Sequence, residues 1–429
     1  MSLLACAPET VPKPPPEAKV PAPAESTPPP PSASVESQPV EAIGPAPAVA
    51  AGVLPRVGLL LPLSGVNAGL GRDMMDAAQL ALFELGDERL ILLPRDTGDS
   101  PEGAAEAARS ALESGVRLIL GPLRASAVQA VAPVAAAAGV GVVAFSNDRS
   151  VASPGVFVMG FLPAAQVHRV VAFARERGLE RFAALVPRTP YGEAVLAALG
   201  EAAALNRATV GPIELYDPAD NARESIKRLA GYDARRAELL RQRQALEGRT
   251  DPAASEELKR LESLDTVGEL EYQALFWPEG GAQLPAVAPL LLYYDLDTAK
   301  VRLIGTGQWD DPATRREPAL VGAWFATAPD ATRLDFEERY RTLYGRKPAR
   351  LATLAYDGVA LAAALARLEP GPDFSVERLI RENGFSGLDG IFRFRRDGLV
   401  ERGLAVLEVQ PDGFRVLSPA PTTFLPLTE

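Results

Sequence analysis

Residues 56–85 read RVGLLLPLSGVNAGLGRDMMDAAQLALFEL, and this stretch decides the fold. Arg56 to Pro62 is a continuous apolar run of strand length, without the polar alternation that a strand facing water on one side would show. A loop containing Gly65, Gly69 and Gly71 follows, and from Asp73 to Leu85 apolar residues recur at helical spacing. A strand apolar on both faces that leads directly into a helix is one unit of a parallel sheet covered on both sides.

The unit repeats outward. Strands are expected at Leu90–Leu93, Val116–Leu120 and Val140–Phe145, with helices at Pro101–Leu112 and Ala125–Ala138. The alternation resumes with helices at Ala164–Glu176, Gly192–Ala204 and Ala222–Leu229 and strands at Phe182–Val186, Thr209–Tyr216, Ala274–Trp277 and Val301–Gly305. Helices at Asp335–Tyr344 and Leu351–Leu368 come next, then β-like segments at Gly390–Arg395 and Gly403–Val409. The expected class is α/β: two doubly wound parallel-sheet lobes with a cleft between them, at the carboxyl ends of the strands where such folds bind ligands. Residues 55–160 and 328–385 are assigned to lobe one, and residues 161–327 and 386–420 to lobe two.

Composition excludes several kinds of chemistry. The 429 residues contain one cysteine and one histidine, so no Cys/His zinc site, thiol–imidazole pair or internal disulfide can be built. A formal charge of −11 argues against nucleic acid as a partner. The histidine, His168, falls within a predicted helix, and no Gly-x-Ser-x-Gly elbow accompanies it, so it reads as a helix-face residue and not as part of a hydrolytic triad. Gly69-Leu70-Gly71 lacks the third glycine of a dinucleotide fingerprint and the Lys-Ser/Thr of a phosphate loop. The adjacent acids Asp310-Asp311, and Asp217 with Asp220, read as turn and helix caps. No enzyme activity, cofactor or metal is expected.

Residues 1–54 differ from the rest, with Pro14–Pro16, Pro28–Pro31 and few large apolar side chains, and are read as an extended tether. Leu3-Leu4-Ala5-Cys6 ahead of it resembles the bacterial lipobox, in which the cysteine receives lipid. The expectation is a periplasmic protein lipid-anchored to a membrane, the outer one, through Cys6, with a signal peptide truncated in this sequence.

Val57-Gly58-Leu59-Leu60-Leu61-Pro62-Leu63-Ser64-Gly65, with Leu120-Gly121-Pro122, Pro190-Tyr191-Gly192, Tyr344-Gly345 and Ala355-Tyr356-Asp357-Gly358, resembles type 1 periplasmic binding proteins of the branched-chain amino-acid receptor kind. The order of these segments spans residues 55–415. Within that fold the lipobox, the tether and the stretch LFWPEGGAQLPAVAPLLLYY (275–294) make the chain similar to penicillin-binding protein activator lipoproteins. Those proteins stimulate cell-wall synthases. The resemblance implies an interlobe site, for which Ser64, Ser126, Ser146, Asp148, Tyr191, Glu279 and Gln308 are the candidates. Ser64 reads equally as a helix cap. Amino-acid receptors place an acidic side chain against the ligand's ammonium. Here Thr306-Gly307-Gln308-Trp309 offers none at the corresponding place, and Ala125 stands where those receptors often present a hydroxyl.

From Asp233 to about Leu270, two short leucine stripes flank a turn at Gly248–Pro252, with Thr250 or Asp251 as N-cap and Pro252 at the first helical position. This predicts a helical hairpin, residues 232–272, inserted in lobe two. Its first arm carries Arg241 and Arg243, candidates for partner binding. The leading expectation is a non-enzymatic envelope lipoprotein that regulates a peptidoglycan synthase by contact. The alternative is a solute receptor of an ABC transporter, binding a small polar or amino-acid-like ligand between the lobes.

Overall fold

The computed structural model describes residues 38–39, 41–42, 54–85, 89–220, 222–311 and 314–424. Cys6, the lipobox and nearly all of the expected tether lie outside the described residues.

The first lobe is a five-stranded, wholly parallel sheet in the spatial order Ile91–Asp96, Arg56–Leu61, Val116–Leu120, Gly141–Ala144, Val156–Val158. The strand at 56–61 supplies both of its faces. Val57, Leu59 and Leu61 enter one core with the helices Ala68–Leu85 and Ala352–Ala366, whereas Leu60 enters the opposite core with Pro101–Glu113 and Ala125–Ala137. Side chains alternate across a strand, so only an apolar run without alternation can fill both layers. The helix Ala352–Ala366 is buried on nearly all sides, because a four-stranded sheet that includes Phe385–Gly387, Gly390–Phe394 and Val400–Arg402 covers its outer face.

The second lobe is a seven-stranded sheet ordered Gly413–Ser418, Ala405–Gln410, Trp324–Thr327, Arg302–Gly305, Ala274–Phe276, Arg181–Pro187, Thr209–Tyr216. It is parallel from Trp324–Thr327 through Thr209–Tyr216, and Ala405–Gln410 and Gly413–Ser418 extend it antiparallel. The same face-by-face division holds here: Phe182, Ala184 and Val186 pack into one core, Ala183 and Leu185 into the other.

Up to Ser418 the chain crosses between the lobes three times, after Val158, after Thr327 and after Arg402. The third comes later than the expected residue 386, because Phe392, Phe394 and Val400 pack into the core around Ala352–Ala366 and hold residues 385–402 on lobe one. The first helix begins at Ala68, not Asp73, so Gly69 and Gly71 are helical and not a turn. Gly71 is required there: a Cβ would stand 2.0 Å from the Pro62 carbonyl oxygen, which packs against that first helical turn.

The hairpin forms as the helices Tyr232–Leu246 and Pro252–Glu262. Asp251 accepts from Ala254 N at 3.0 Å and Pro252 takes the first position, so the residue that ends one arm's turn also starts the next arm. Leu239 on the first arm and Leu261 on the second are buried, while Leu240 is half exposed. At its root, Arg235 donates to Ala230 O, Asp295 O and Asp295 Oδ2, and Thr266 Oγ1 also donates to Asp295 Oδ2.

Candidate functional site between the lobes

On lobe two, four strands of the sheet deliver their following loops to one place. After Arg181–Pro187, Thr189 Oγ1 accepts from Gly192 N at 3.0 Å and caps the next helix, which fixes Tyr191 in its first turn. The Tyr191 hydroxyl lies 2.8 Å from Thr306 Oγ1, beyond the end of Arg302–Gly305. Burial pushes the Tyr191 phenol up to about 12, so it stays protonated and a donor at any physiological pH. Glu279 follows the strand Ala274–Phe276; its Oε2 accepts from the Tyr216 hydroxyl and its Oε1 from Gly280 N at 3.0 Å. The Trp309 indole donates to Glu279 O at 2.8 Å, and Gln166 Oε1 accepts from Gly307 N at 2.9 Å. Gln308 is exposed beside Gly280, where a Cβ would stand 2.5 Å from Gln308 Oε1.

Tyr191, Glu279 and Gln308 are therefore brought together, with Thr306, Tyr216 and Gln166 beside them. Glu279 already accepts from a phenol on one oxygen and from an amide on the other, so an ammonium group would have to share both oxygens with bonds that hold the loop.

On lobe one, Ser64 sits in the loop after Arg56–Leu61, and it does not cap the following helix. Asp96 Oδ1 accepts from Leu63 N (2.9 Å), Ser64 N (3.2 Å) and Gly98 N (2.8 Å). Burial pushes the Asp96 carboxyl up, but the Ser64 hydroxyl and these three amides outweigh it and hold the group below its ordinary value. Asp99 accepts from Asn67 Nδ2 at 2.8 Å and from Val66 N at 2.5 Å. These two aspartates fix the loop at 62–67. Ser126 is exposed at the start of Ala125–Ala137 and shares with Pro62, Thr97, Asp99 and Arg124 a crevice of about 10 Å³, room for one water. Ser146 and Asp148 serve a local turn: Ser146 Oγ accepts from Asp148 N at 3.1 Å, and Asp148 Oδ1 from Ser150 N at 2.9 Å.

A charged cluster at the crossings is a feature the sequence reading missed. Arg350 donates to Asp389 Oδ1 at 2.7 Å and lies over the Phe161 ring at 4.4 Å, while buried Arg402 lies over the same ring at 5.0 Å and donates to Met159 O. Asp357 Oδ1 accepts from Leu388 N at 2.7 Å. Desolvation, reinforced by the Asp389 charge, pushes the fully buried Asp357 carboxyl up to about 7. The expected cap Asp310 instead forms an ion pair with Arg333, whereas Asp217 does cap its turn, accepting from Ala219 N. The one visible signal was Asp357 itself, a lone acid in the apolar run LATLAYDGVALAAALA (351–366).

Two other expectations resolve locally. His168 is a half-buried helix-face residue with Nε2 3.6 Å from Glu201. Arg243 is not presented to a partner: its guanidinium donates to Leu261 O at 2.7 Å and Leu264 O at 2.9 Å, closing the end of the second arm. Arg241 remains exposed, paired with Glu238 on its own helix. Among the described residues no group of three or more His, Cys, Asp or Glu is placed to hold a metal ion, and no helix is long and apolar enough to cross a membrane.

Two parallel-sheet lobes joined by three crossings, with polar side chains gathered at the carboxyl ends of the strands, constitute the type 1 periplasmic binding protein fold. The sequence profile of the family described as "Periplasmic binding protein" matches residues 55–232. Solved structures similar to the chain are solute-binding proteins of ABC transporters. One, from Rhodospirillum rubrum and assigned to branched-chain amino acid transport, has 22% identity over 85% of this chain and 100% of its own, with a TM-score of 0.65. Another, from Rhodopseudomonas palustris in complex with 3,4-dihydroxybenzoic acid, has 18% identity over 87% and 98%, with a TM-score of 0.57. A leucine-binding protein from Thermotoga maritima has 18% identity over 86% and 99%, with a TM-score of 0.54. Among curated proteins, an uncharacterized protein of Rickettsia prowazekii is 21% identical over 187 residues, 44% of this chain; the match spans about half (49%) of that relative.

Proposed function

We propose that the chain is a periplasmic, non-enzymatic receptor that binds a small organic carboxylate between its lobes. The observation that carries this reading is the grouping of Tyr191, Thr306 and Gln308, hydroxyl and amide donors set at the ends of lobe two's parallel strands. A donor-rich wall suits an acceptor-rich ligand. Thr306-Gly307-Gln308-Trp309 carries no carboxylate for an amino acid's ammonium, Glu279 is already tied to Tyr216 and Gly280, and an ammonium left unpaired in the cleft costs several kcal/mol. Benzoate-type acids satisfy the donors without needing that partner.

Calorimetry with leucine, isoleucine and valine against benzoate, 4-hydroxybenzoate and 3,4-dihydroxybenzoate tests the reading. The expected result is micromolar binding of at least one acid and nothing tighter than millimolar for the amino acids. Micromolar affinity for leucine, or no binding of any acid, overturns it.

A second reading is favoured by the hairpin, a projection with no part in the cleft: an envelope protein, lipid-anchored through Cys6, that regulates a peptidoglycan synthase by contact. Co-purification with a penicillin-binding protein from envelope extract, lost when the hairpin is removed, supports it. Release from the membrane fraction on Cys6→Ala, in a chain expressed with a full signal peptide, supports the anchor.

A further inference from the structure

A continuous ladder of rings and guanidinium groups runs from the body of lobe two onto the first arm of the hairpin. Arg223 lies 5.8 Å from the Tyr293 ring centre, Tyr293 packs edge-on against Tyr294 at 5.0 Å, and Tyr294 packs edge-on against Tyr232 at 5.3 Å. Arg236 completes it, 5.9 Å from the Tyr232 ring and donating to the Tyr232 hydroxyl at 3.0 Å. One turn further along the same helix face stands Leu240. Tyr294 belongs to the lobe's core and Tyr232 is half-buried against it, but the outer members of the ladder are open: Tyr293 is 65% exposed and Leu240 52%, and both arginines are exposed. Each guanidinium is aligned on a ring within cation–π range, and neither forms an ion pair among the described residues. Arg223 gives one N–H to the Tyr294 hydroxyl at 3.3 Å and Arg236 one to the Tyr232 hydroxyl, so each guanidinium is oriented and keeps donors for a carboxylate.

We propose that this stripe docks an acidic, apolar segment of another protein, one that sets carboxylates against Arg223 and Arg236 and an apolar side chain against Tyr293. Charge complementarity selects the occupant. The chain as a whole carries a formal charge of −11, so an acidic partner is repelled elsewhere and held at this local pair of cations. Tyrosine and arginine are enriched among the residues that carry binding energy in interfaces, tyrosine because its large ring is ordered at little cost in freedom, arginine because its guanidinium pairs with carboxylates. Two cations are too few for phosphate-backbone binding, which draws on many.

The stripe is independent of what the cleft binds. The helix Gln283–Tyr293 starts from the loop at the cleft-side ends of the strands and runs back about 16 Å, so Tyr293 and Tyr294 lie at its far end. This placement also moves the contact from Arg241 and Arg243 to the root of the hairpin.

The test is photo-crosslinking in cells, with a benzophenone amino acid replacing Tyr293 or Leu240 in the full chain, followed by sequencing of the attached peptide. The expected adduct maps to a segment rich in Asp or Glu with flanking apolar residues. It falls at least tenfold in Arg223→Glu/Arg236→Glu, is retained in large part in Arg223→Lys/Arg236→Lys, and weakens with salt, while the melting curve and the cleft's affinity for small acids stay unchanged. An adduct to a segment without carboxylates or to lipid, an adduct indifferent to charge reversal, or no adduct at either position overturns the proposal.

Discussion

Arg333 and Asp310 meet at 3.3 Å across the two lobes, both almost fully buried. Arg333 stands on the helix Ala331–Tyr344 that packs on lobe one, and Asp310 follows the short turn Gly307–Trp309 beyond the lobe-two strand Arg302–Gly305. Arg333 also donates to Glu337 at 2.7 Å. Burial pushes the Asp310 carboxyl up, against the pull of Arg333 and Arg350, so the pair holds a charge that the site itself disfavours.

Removing one partner of such a pair leaves the other charged and dry. Arg333→Met is expected to cost about 3 kcal/mol, and Asp310→Asn in the same background to restore part of it. Denaturant melts of the two single variants and the double variant measure this. Additive losses would show that the lobes are not coupled through the pair.

Asp357 gives a pH signature. Its folded value, about 7, lies above the ordinary 3.8, so the folded chain keeps a proton that the unfolded chain releases. Stability from this group is greatest below about pH 4, declines as pH rises from 4 to 7, and then levels off. Asp357→Asn retains an acceptor for Leu388 N and cannot ionise, so the variant is expected to lose less stability than wild type between pH 5 and 7.5. Parallel slopes in thermal melts across that range would remove Asp357 as the source.

Tyr191→Phe deletes the hydroxyl 2.8 Å from Thr306 and one cleft donor, while the ring still covers the helix start. Affinity for the carboxylate ligand is expected to fall about tenfold, one hydrogen bond to a charged group, with the melting temperature within a degree or two of wild type. An unchanged affinity would place the ligand away from this wall.

The hairpin is expected to be dispensable for folding. Val267 N donates to Arg235 O at 3.4 Å, so the chain leaves and returns at neighbouring points. Replacing residues 238–265 with a short Gly/Ser linker keeps Arg235 and Thr266 on Asp295 and removes only the zipped arms. A single cooperative melt within about 3 kcal/mol of wild type is expected, with the cleft's affinity unchanged. Loss of a cooperative transition would make the hairpin part of the lobe's core.

Arg56–Leu61 determined the class of fold by itself, because an apolar run without alternation has only one stable solution, a strand covered on both faces. Asp251-Pro252 likewise determined the hairpin's turn, since a cap and a pre-set φ act within a few residues. What the tertiary structure decided depends on distance in sequence. The run at 390–395 was legible as β but not its lobe, because Phe392 and Phe394 choose a core more than 300 residues from where the first strand begins. Arg243 and Arg241 are equivalent in sequence, two arginines on one charged helix, and only the position of the second arm turns one into a cap and leaves the other exposed, paired within its own helix. The pairing of Arg333 with Asp310 and the raised carboxyl of Asp357 arise from burial, and burial is a property of the packed lobes that no local spacing encodes.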